Sequence, residues 1–239
     1  MPVTWDAPST DGDSPITGYT VTPSVGGTAQ TPVPAGANAT DLRVTGLTAG
    51  TAYTFTVKAV NGAGSSAASG ATSAVTPGLS LFNSATPATV DSGDTGAVNL
   101  GVKFRSDVAG TITGLRFYKA GTNTGTHTGT LYDASGATLR QAAFGNETGS
   151  GWQAVTFSSP VSITAGTTYV ASYHAPNGHY SVTGAAFGPG PFDNPPLHAL
   201  ANGESRNGVY VYGAAPAFPT SEWNSTNYWV DVLFVPAST

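Results

Sequence analysis

The 239-residue chain contains no cysteine, which excludes disulfide bonds, thiolate metal sites and cysteine nucleophiles together. Basic residues are also scarce, since 8 lysines and arginines stand against 13 aspartates and glutamates, and the net charge is −5. No basic stretch could neutralise a phosphate backbone, so we expect no nucleic-acid partner. No apolar run approaches the roughly 20 residues of a membrane-spanning helix, so we expect no membrane insertion.

The residues that are abundant are those of turns and strands. The chain has 31 glycines and 17 prolines, which predict many turns and few helices. No helical periodicity is present, whereas short segments of alternating apolar and polar residues recur along the chain. The sequence therefore predicts an all-β protein with two β-sandwich domains.

Residues 1–77 are expected to form the first domain. Tyr53, Phe55, Val57 and Ala59 alternate with polar residues, as in a strand with one buried face. This segment resembles a fibronectin type III domain, which is an immunoglobulin-like sandwich. The resemblance rests on Trp5, the turn over residues 8–15, the segment 16–19 and the stretch 47–53.

The resemblance implies that Trp5 and Tyr53 are buried, and that the Tyr53 hydroxyl bonds to backbone near Leu47 as a tyrosine corner. The first strand of the family should precede Val3 and is missing. We therefore interpret the sequence as part of a longer parent chain with further domains, in which this domain acts as a spacer.

Residues 78–239 are expected to form a second, larger sandwich of jelly-roll type. Turns such as Ala134-Ser135-Gly136 and Pro176-Asn177-Gly178 separate its apolar segments. The segments that predict strands are 102–104, 112–118, 130–132, 154–157, 169–173, 209–212 and 228–235.

This second segment resembles a domain of unknown function, DUF4082. The motifs that carry the resemblance are residues 100–104, 110–119, 124–129, 151–153, 173–180 and 227–231. That family occurs in secreted, mainly actinobacterial multidomain proteins, often beside fibronectin type III and carbohydrate-related modules. The resemblance implies a secreted, extracellular accessory module of a bacterial protein, and it brings no ligand or catalytic residue with it.

Catalytic motifs are absent from the sequence, which has neither a Gly-x-Ser-x-Gly elbow nor a His-Glu-x-x-His helix. Acid–base chemistry on glycans would need a pair of carboxylates, and no pair stands out because most lie at turns. We therefore expect no catalytic residue and no enzyme. A glycan-active enzyme stays open as a third alternative.

Metal binding is a second open question. His174 and His179 bracket the Pro176-Asn177-Gly178 turn, so a hairpin could bring them onto adjacent strands, although a transition metal needs a third ligand. Asp91, Asp94 or Asp107 could instead hold a structural calcium ion, which is the one cofactor left open. The alternative for these residues is hydrogen bonding that holds long loops.

The aromatic residues favour carbohydrate binding, because exposed planar rings offer apolar faces to sugar C–H groups. Trp152 has opposite parity to Val155 and Phe157, and Trp223 lies in a polar loop. Tyrosines and histidines also flank the 176–178 turn, where small polar residues are usual. The predicted ligand-binding residues are His127, Trp152, Tyr173, His174, His179, Tyr180 and Trp223.

The leading hypothesis is a non-catalytic module that binds a polysaccharide or a cell-surface glycan. A structural or adhesive module for protein or cell-surface interaction is the alternative, in which these rings cover the ends of the core. Trp229 is expected to belong to the core in either case.

Overall fold

The computed structural model describes residues 1–48 and 50–237, which form strands, turns and irregular loops. No helix occurs among them, and so none that could span a membrane. The all-β class is confirmed. Contacts divide the chain into two compact units, Met1–Pro77 and Gly78–Thr239, each with its own sheets. Ala49, within the predicted 47–53 motif, lies outside the described residues.

The first unit holds two antiparallel sheets. Strand β1 pairs with β5, while β2 pairs with β6 along one edge and with β3 and β4 along the other. Short strand β7 extends the larger sheet beyond β6. The bounds are β1 (Pro2–Thr4), β2 (Ile16–Val25), β3 (Thr28–Ala29), β4 (Val33–Gly36), β5 (Asp41–Arg43), β6 (Thr54–Asn61) and β7 (Gly64–Ser65).

A tyrosine corner closes this unit, as the sequence predicts. Tyr53 is buried, and its hydroxyl oxygen accepts a hydrogen bond of 3.0 Å from the Thr48 N–H. The prediction that Trp5 is buried is wrong, because the residue is only partly covered. Strand β1 ends at Thr4, so Trp5 lies at the rim of the core, where its ring packs 5.3 Å from the ring of Tyr19.

Hydroxyl side chains complete the edge of β6. Ser66, Ser69 and Thr72 each donate a backbone N–H to β6, and each hydroxyl accepts an N–H from the same strand. The segment advances three residues for every two on β6, so a hydroxyl fills the place of the backbone carbonyl that a regular ladder would supply. This pairing explains a serine-rich segment that satisfies a strand edge without being a regular strand.

The second unit is a sandwich of two larger sheets. One has eight strands, with β13 and β8 at its centre, and the other has three in the order β12-β9-β18. The bounds are β8 (Val98–Ser106), β9 (Gly110–Lys119), β10 (Thr128–Asp133), β11 (Thr138–Ala143), β12 (Gly151–Ile163), β13 (Tyr169–Ala175), β14 (Phe192–Asn194), β15 (Leu197–Ala199), β16 (Val209–Tyr212), β17 (Ser221–Glu222) and β18 (Val230–Pro236).

The facing sides of these sheets form the core. Leu100 and Phe104 of β8 and Leu115 and Phe117 of β9 are fully buried in one apolar cluster. The free edge of β8 is shared, because β16 pairs with its first half and β15 with its second half. This sharing brings β16 to the edge of the sandwich near the loop that precedes β8.

A buried carboxylate fixes the start of the unit to the outer side of the three-stranded sheet. Asp231 of β18 is fully buried and pairs with Arg116 of β9 at 2.6 Å. Its two carboxylate oxygens also accept the N–H groups of Leu81 and Phe82 at 2.7 and 3.1 Å. The segment before β8 is therefore held by these side-chain acceptors together with isolated backbone bridges of Leu79 to Phe234 and of Thr89 to Val182.

Candidate functional site

Five aromatic rings line a surface cavity of about 210 Å³ in the second unit. Two alternate residues of β16 supply one wall, and the residue after β17 supplies another. The remaining rings come from the chain after β13 and from the residue two before β18. We call this cavity the aromatic pocket, and its lining residues are Tyr180, Tyr210, Tyr212, Trp223 and Tyr228.

The rings of the aromatic pocket differ in exposure. Trp223 and Tyr212 are 68% and 55% exposed, whereas Tyr228 is buried. Tyr228 packs edge-on against Tyr180 and Tyr210, with ring centroids 5.7 and 6.2 Å apart. The edge-to-face arrangement is the favourable one for aromatic pairs and holds the base of the pocket while the outer rings face solvent.

A single carboxylate organises two of the hydroxyls. Oδ2 of Asp94 accepts hydrogen bonds from Tyr180 at 3.0 Å and from Tyr212 at 2.5 Å, and Oδ1 accepts the Gly96 N–H at 2.8 Å. Burial alone would raise the pKa of Asp94, but the bonds from Tyr212, Gly96 and Tyr180 outweigh burial and lower it. The carboxylate is therefore charged at neutral pH.

The tyrosine hydroxyls keep their protons. Burial, and then the bond to Asp94, raises the pKa of Tyr180 well above its usual value. The bond to Asp94 is the main cause that raises the pKa of Tyr212, and burial raises that of Tyr228. Because the hydroxyl protons of Tyr180 and Tyr212 point to Asp94, their oxygen lone pairs are left as acceptors.

The loop that carries Trp223 is tightly constrained. Asn224 and Ser225 both have φ of 48°, in the left-handed region that side chains rarely adopt. Glu222 accepts the Ser225 N–H at 2.7 Å, and the Thr226 N–H donates to the Trp223 carbonyl at 3.1 Å. Backbone strain of this kind persists where the surroundings fix it, and it often marks functional sites.

Two glycines allow close packing around Tyr212 and Asp94. A Cβ on Gly96 would lie 3.0 Å from the Tyr212 ring, so the absence of a side chain lets the ring lie over the loop. A Cβ on Gly178, whose φ is +68°, would lie 2.2 Å from the Asp94 carbonyl oxygen. Two glycines therefore permit the close approach that positions Asp94 under the pocket.

The structure brings Tyr180 and Trp223 together and separates them from other residues predicted for the site. Tyr173 is buried and stacks on Phe117 with centroids 4.2 Å apart. His127 is fully buried between Glu147 and Asn123, at 2.9 and 2.7 Å. Neither residue presents a face to solvent, so both hold the core in this structure.

The hairpin around the 176–178 turn, which could have brought His174 and His179 onto adjacent strands, is not formed. After β13 the chain turns at 176–178 and crosses to the other sheet, where Tyr180 bridges Lys119 of β9. The crossing occurs because both edges of β13 are already occupied, by β10 and by β8.

The crossing also gives the two histidines different partners. His174 is buried and bonds the Gly213 carbonyl at 3.1 Å, whereas His179 bonds Asp91 at 3.0 Å. Over residues 1–48 and 50–237, no group of three or more histidine, aspartate or glutamate side chains is arranged to hold a metal ion. Asp107 pairs with His198 at 2.7 Å. The calcium hypothesis stays an untested prediction.

Trp152 lies on the face of β12 opposite to buried Phe157, as its parity predicts. Its indole N–H donates to the Ala85 carbonyl at 3.0 Å, and the Arg116 guanidinium lies 4.0 Å from the ring centroid. One face of this ring is therefore already occupied by a cation of the protein, and Trp152 is only partly exposed.

The sequence analysis did not single out Tyr210, Tyr212 and Tyr228 as site residues. A signal was present, because tyrosines at alternate positions of the short strand Val209–Tyr212 lie on one face. Tyr228 carried no comparable signal, since it adjoins an apolar run that reads as core.

The aromatic pocket and Asp94 lie within the part of the chain that matches a known family. Residues 84–230 match the model of the Domain of unknown function (DUF4082), and residues 1–75 match that of the Fibronectin type III domain. The chain therefore belongs to the DUF4082 family and carries a fibronectin type III domain ahead of that module, which confirms the suspected architecture. Comparisons with curated proteins and with solved structures found no match.

Proposed function

We propose that the chain is a non-catalytic accessory module of a secreted bacterial protein, which binds carbohydrate at the aromatic pocket and uses the fibronectin type III domain as a spacer. The observation that carries the proposal is the convergence of five rings from distant parts of the chain on one cavity. Trp223 is the most exposed of them at 68%. Tyr212 is also exposed, and it is contiguous exposed apolar surface, more than a single ring, that marks an interaction site.

The chemistry of the aromatic pocket suits a sugar. Ring faces of Trp223 and Tyr212 offer apolar surface to the C–H groups of a pyranose, and tyrosine oxygens accept hydrogen bonds from its hydroxyls. The cavity of about 210 Å³ is smaller than the roughly 300–1,000 Å³ of pockets that enclose a whole small molecule. It fits one ring of a longer chain that continues across the surface.

The carboxylates around the pocket support a binding role over a catalytic one. Asp94 is engaged by two hydroxyls and a backbone N–H, and Glu222 accepts the Ser225 N–H. Hydrolysis of a glycosidic bond needs one protonated and one ionised carboxyl facing the substrate. Asp94 is held in its ionised form and faces the protein's own donors.

A structural or adhesive module is the second candidate. The burial of His127, Tyr173 and His174 favours it, because these residues stabilise the sandwich and its loops instead of being displayed. This candidate needs no small-molecule ligand, and the two can be separated by experiment.

The test is a polysaccharide panel of chitin, cellulose, xylan and α-glucans, read by pull-down and affinity electrophoresis of the full chain. We expect at least one polymer to be retained, and expect Trp223→Ala and Tyr180→Ala each to lose about 1–2 kcal/mol of affinity. Phe192→Ala is the matched control, since Phe192 is 37% exposed and lies outside the pocket. Retention of no polymer, or unchanged binding in both pocket variants, would favour the structural candidate.

A further inference from the structure

The aromatic pocket contains no positively charged lining residue. All five lining residues are aromatic, and the face of each ring carries the negative part of its quadrupole. The two hydroxyls nearest Asp94 direct their protons away from the ligand side and toward its carboxylate. Tyr180 and Tyr212 therefore offer a ligand their ring faces and oxygen lone pairs.

Two carboxylates place negative charge next to the aromatic pocket. Asp94 is ionised and binds two of the lining tyrosines directly. Glu222 pairs in register with Val209, one residue before Tyr210. The pKa of Tyr228 is raised mainly by burial, with smaller contributions from Tyr210, Tyr212 and, least of all, Glu222. Glu222 directly precedes the lining residue Trp223, so a second carboxylate lies beside the pocket.

None of the five lining residues is basic, and His179, which lies near Asp94, bonds the carboxylate of Asp91 at 3.0 Å. Several basic side chains of the second unit are engaged by other carboxylates. These pairs are Arg105 with Glu204, Arg116 with Asp231 and Lys119 with Glu147. An acidic sugar entering the aromatic pocket would meet repulsion, whereas a cation would meet ring faces, lone pairs and nearby negative charge.

We propose that the aromatic pocket prefers a sugar that carries a free, protonated amine, such as a glucosamine unit, over its N-acetylated or neutral counterpart. The inference rests on the proposed carbohydrate-binding function and names the ligand class. An ammonium placed over Trp223 or Tyr212 gains a cation–π interaction that the acetylated nitrogen cannot make. The carboxylate of Asp94 strengthens it because the charge lies behind polarisable hydroxyls.

The experiment compares two hexasaccharides that differ only in the acetyl group on nitrogen. Calorimetry of the full chain is carried out with glucosamine and N-acetylglucosamine hexamers, at a mildly acidic pH where the amine is protonated. We expect the glucosamine hexamer to bind about 2- to 30-fold more tightly. The ratio of the two affinities should fall as salt is added, because the preference is electrostatic.

Two carboxylates of the same loop provide a matched pair of variants. Asp94→Asn keeps the side-chain shape and should reduce the ratio of affinities toward one. Asp91→Asn removes the same charge three residues away, where the carboxylate bonds His179 and Thr122 instead of pocket residues, and should leave the ratio as it is. A ratio lowered equally by both variants would reflect net charge alone and overturn the assignment to the pocket.

The outcomes separate this inference from the function on which it rests. Equal binding of both hexamers, or tighter binding of the acetylated one, would overturn the amine preference and leave carbohydrate binding intact. Binding of neither hexamer, with a neutral polysaccharide retained in the panel, would also overturn the preference. Failure of every carbohydrate would overturn the proposed function itself.

Discussion

Replacement of Asp231 by alanine should destabilise the second unit more than any exposed ion pair does. The carboxylate is fully buried and accepts hydrogen bonds from Arg116 at 3.0 and 2.6 Å. It also accepts the N–H groups of Leu81, Phe82 and Val232 at 2.7, 3.1 and 2.7 Å. Its removal leaves a guanidinium that is only 15% exposed without its charged partner, although the bonds to the Ser80 hydroxyl and the Asn83 carbonyl remain.

The magnitude follows from what is left unpaired. Breaking a buried pair by removing one partner costs about 3–5 kcal/mol, and each buried N–H left without an acceptor costs about 1–3 kcal/mol. Water admitted to the vacated space would solvate part of these groups, so the two costs do not add fully. We therefore expect a loss of about 3–5 kcal/mol for Asp231→Ala. Asp231→Asn should lose less, because one carbonyl acceptor remains.

The assay is urea unfolding of the full chain followed by tryptophan fluorescence. Trp152, whose ring lies 4.0 Å from the Arg116 guanidinium, reports on this region. Glu204→Gln is the control, since Glu204 pairs with Arg105 at the surface and such pairs contribute about 0–1 kcal/mol. A loss below about 1 kcal/mol for Asp231→Ala would refute the view that this carboxylate holds the segment before β8.

Three further changes test other parts of the account. Tyr53→Phe removes the corner hydrogen bond and should cost the first unit about 0.5–1.5 kcal/mol in urea unfolding. Gly178→Ala should destabilise the second unit, since its Cβ would lie 2.2 Å from the Asp94 carbonyl oxygen. Gly166→Ala is the control and should cost less stability, because Gly166 has a similar φ but open space around it. Equal losses would contradict the steric argument. Burial chiefly lowers the pKa of His127 below 6.5, so the unfolded chain binds the proton more readily and the stability of the protein should fall as pH drops below 6.5. His127→Gln should flatten this part of the profile of stability against pH. An unchanged slope would contradict the argument.

Local patterns were enough to predict most strands. The alternation that begins at Tyr53 places one face of β6 inward, and the hydroxyl of Tyr53 makes the predicted corner bond. The segments predicted in the second unit all fall in or next to observed strands. Strand β11 escaped prediction, because three of its six residues are polar and the strand lies at the edge of the sheet.

The candidate site could be predicted only in part. Trp223 and Tyr180 were identified because large rings stood out among turn residues. Tyr210 and Tyr212 join them through pairing of β16 with the first half of β8, a contact across more than a hundred residues that no local pattern specifies. The bond of Tyr212 to Asp94 likewise depends on that pairing.

Two of the misplaced residues have a common cause. Tyr173 and His174 were assigned to an exposed tip, but β13 is buried along its whole length between two neighbouring strands. A strand covered on both faces lacks the alternation that shows which side chains face inward. Trp5 was misplaced for a different reason: its burial was expected from the family resemblance, whereas strand β1 ends at Thr4, one residue before it.

The most direct test of the aromatic pocket uses the indole N–H groups of the four tryptophans as reporters. These signals are followed by nitrogen-15 NMR as a carbohydrate retained in the panel is added, after assignment with single Trp→Phe variants. We expect the signal of exposed Trp223 to shift, while those of Trp152 and Trp229, bonded to Ala85 and Thr183, stay in place together with that of Trp5. A titration that shifts Trp5 or Trp152 and leaves Trp223 unchanged would contradict carbohydrate binding at the aromatic pocket.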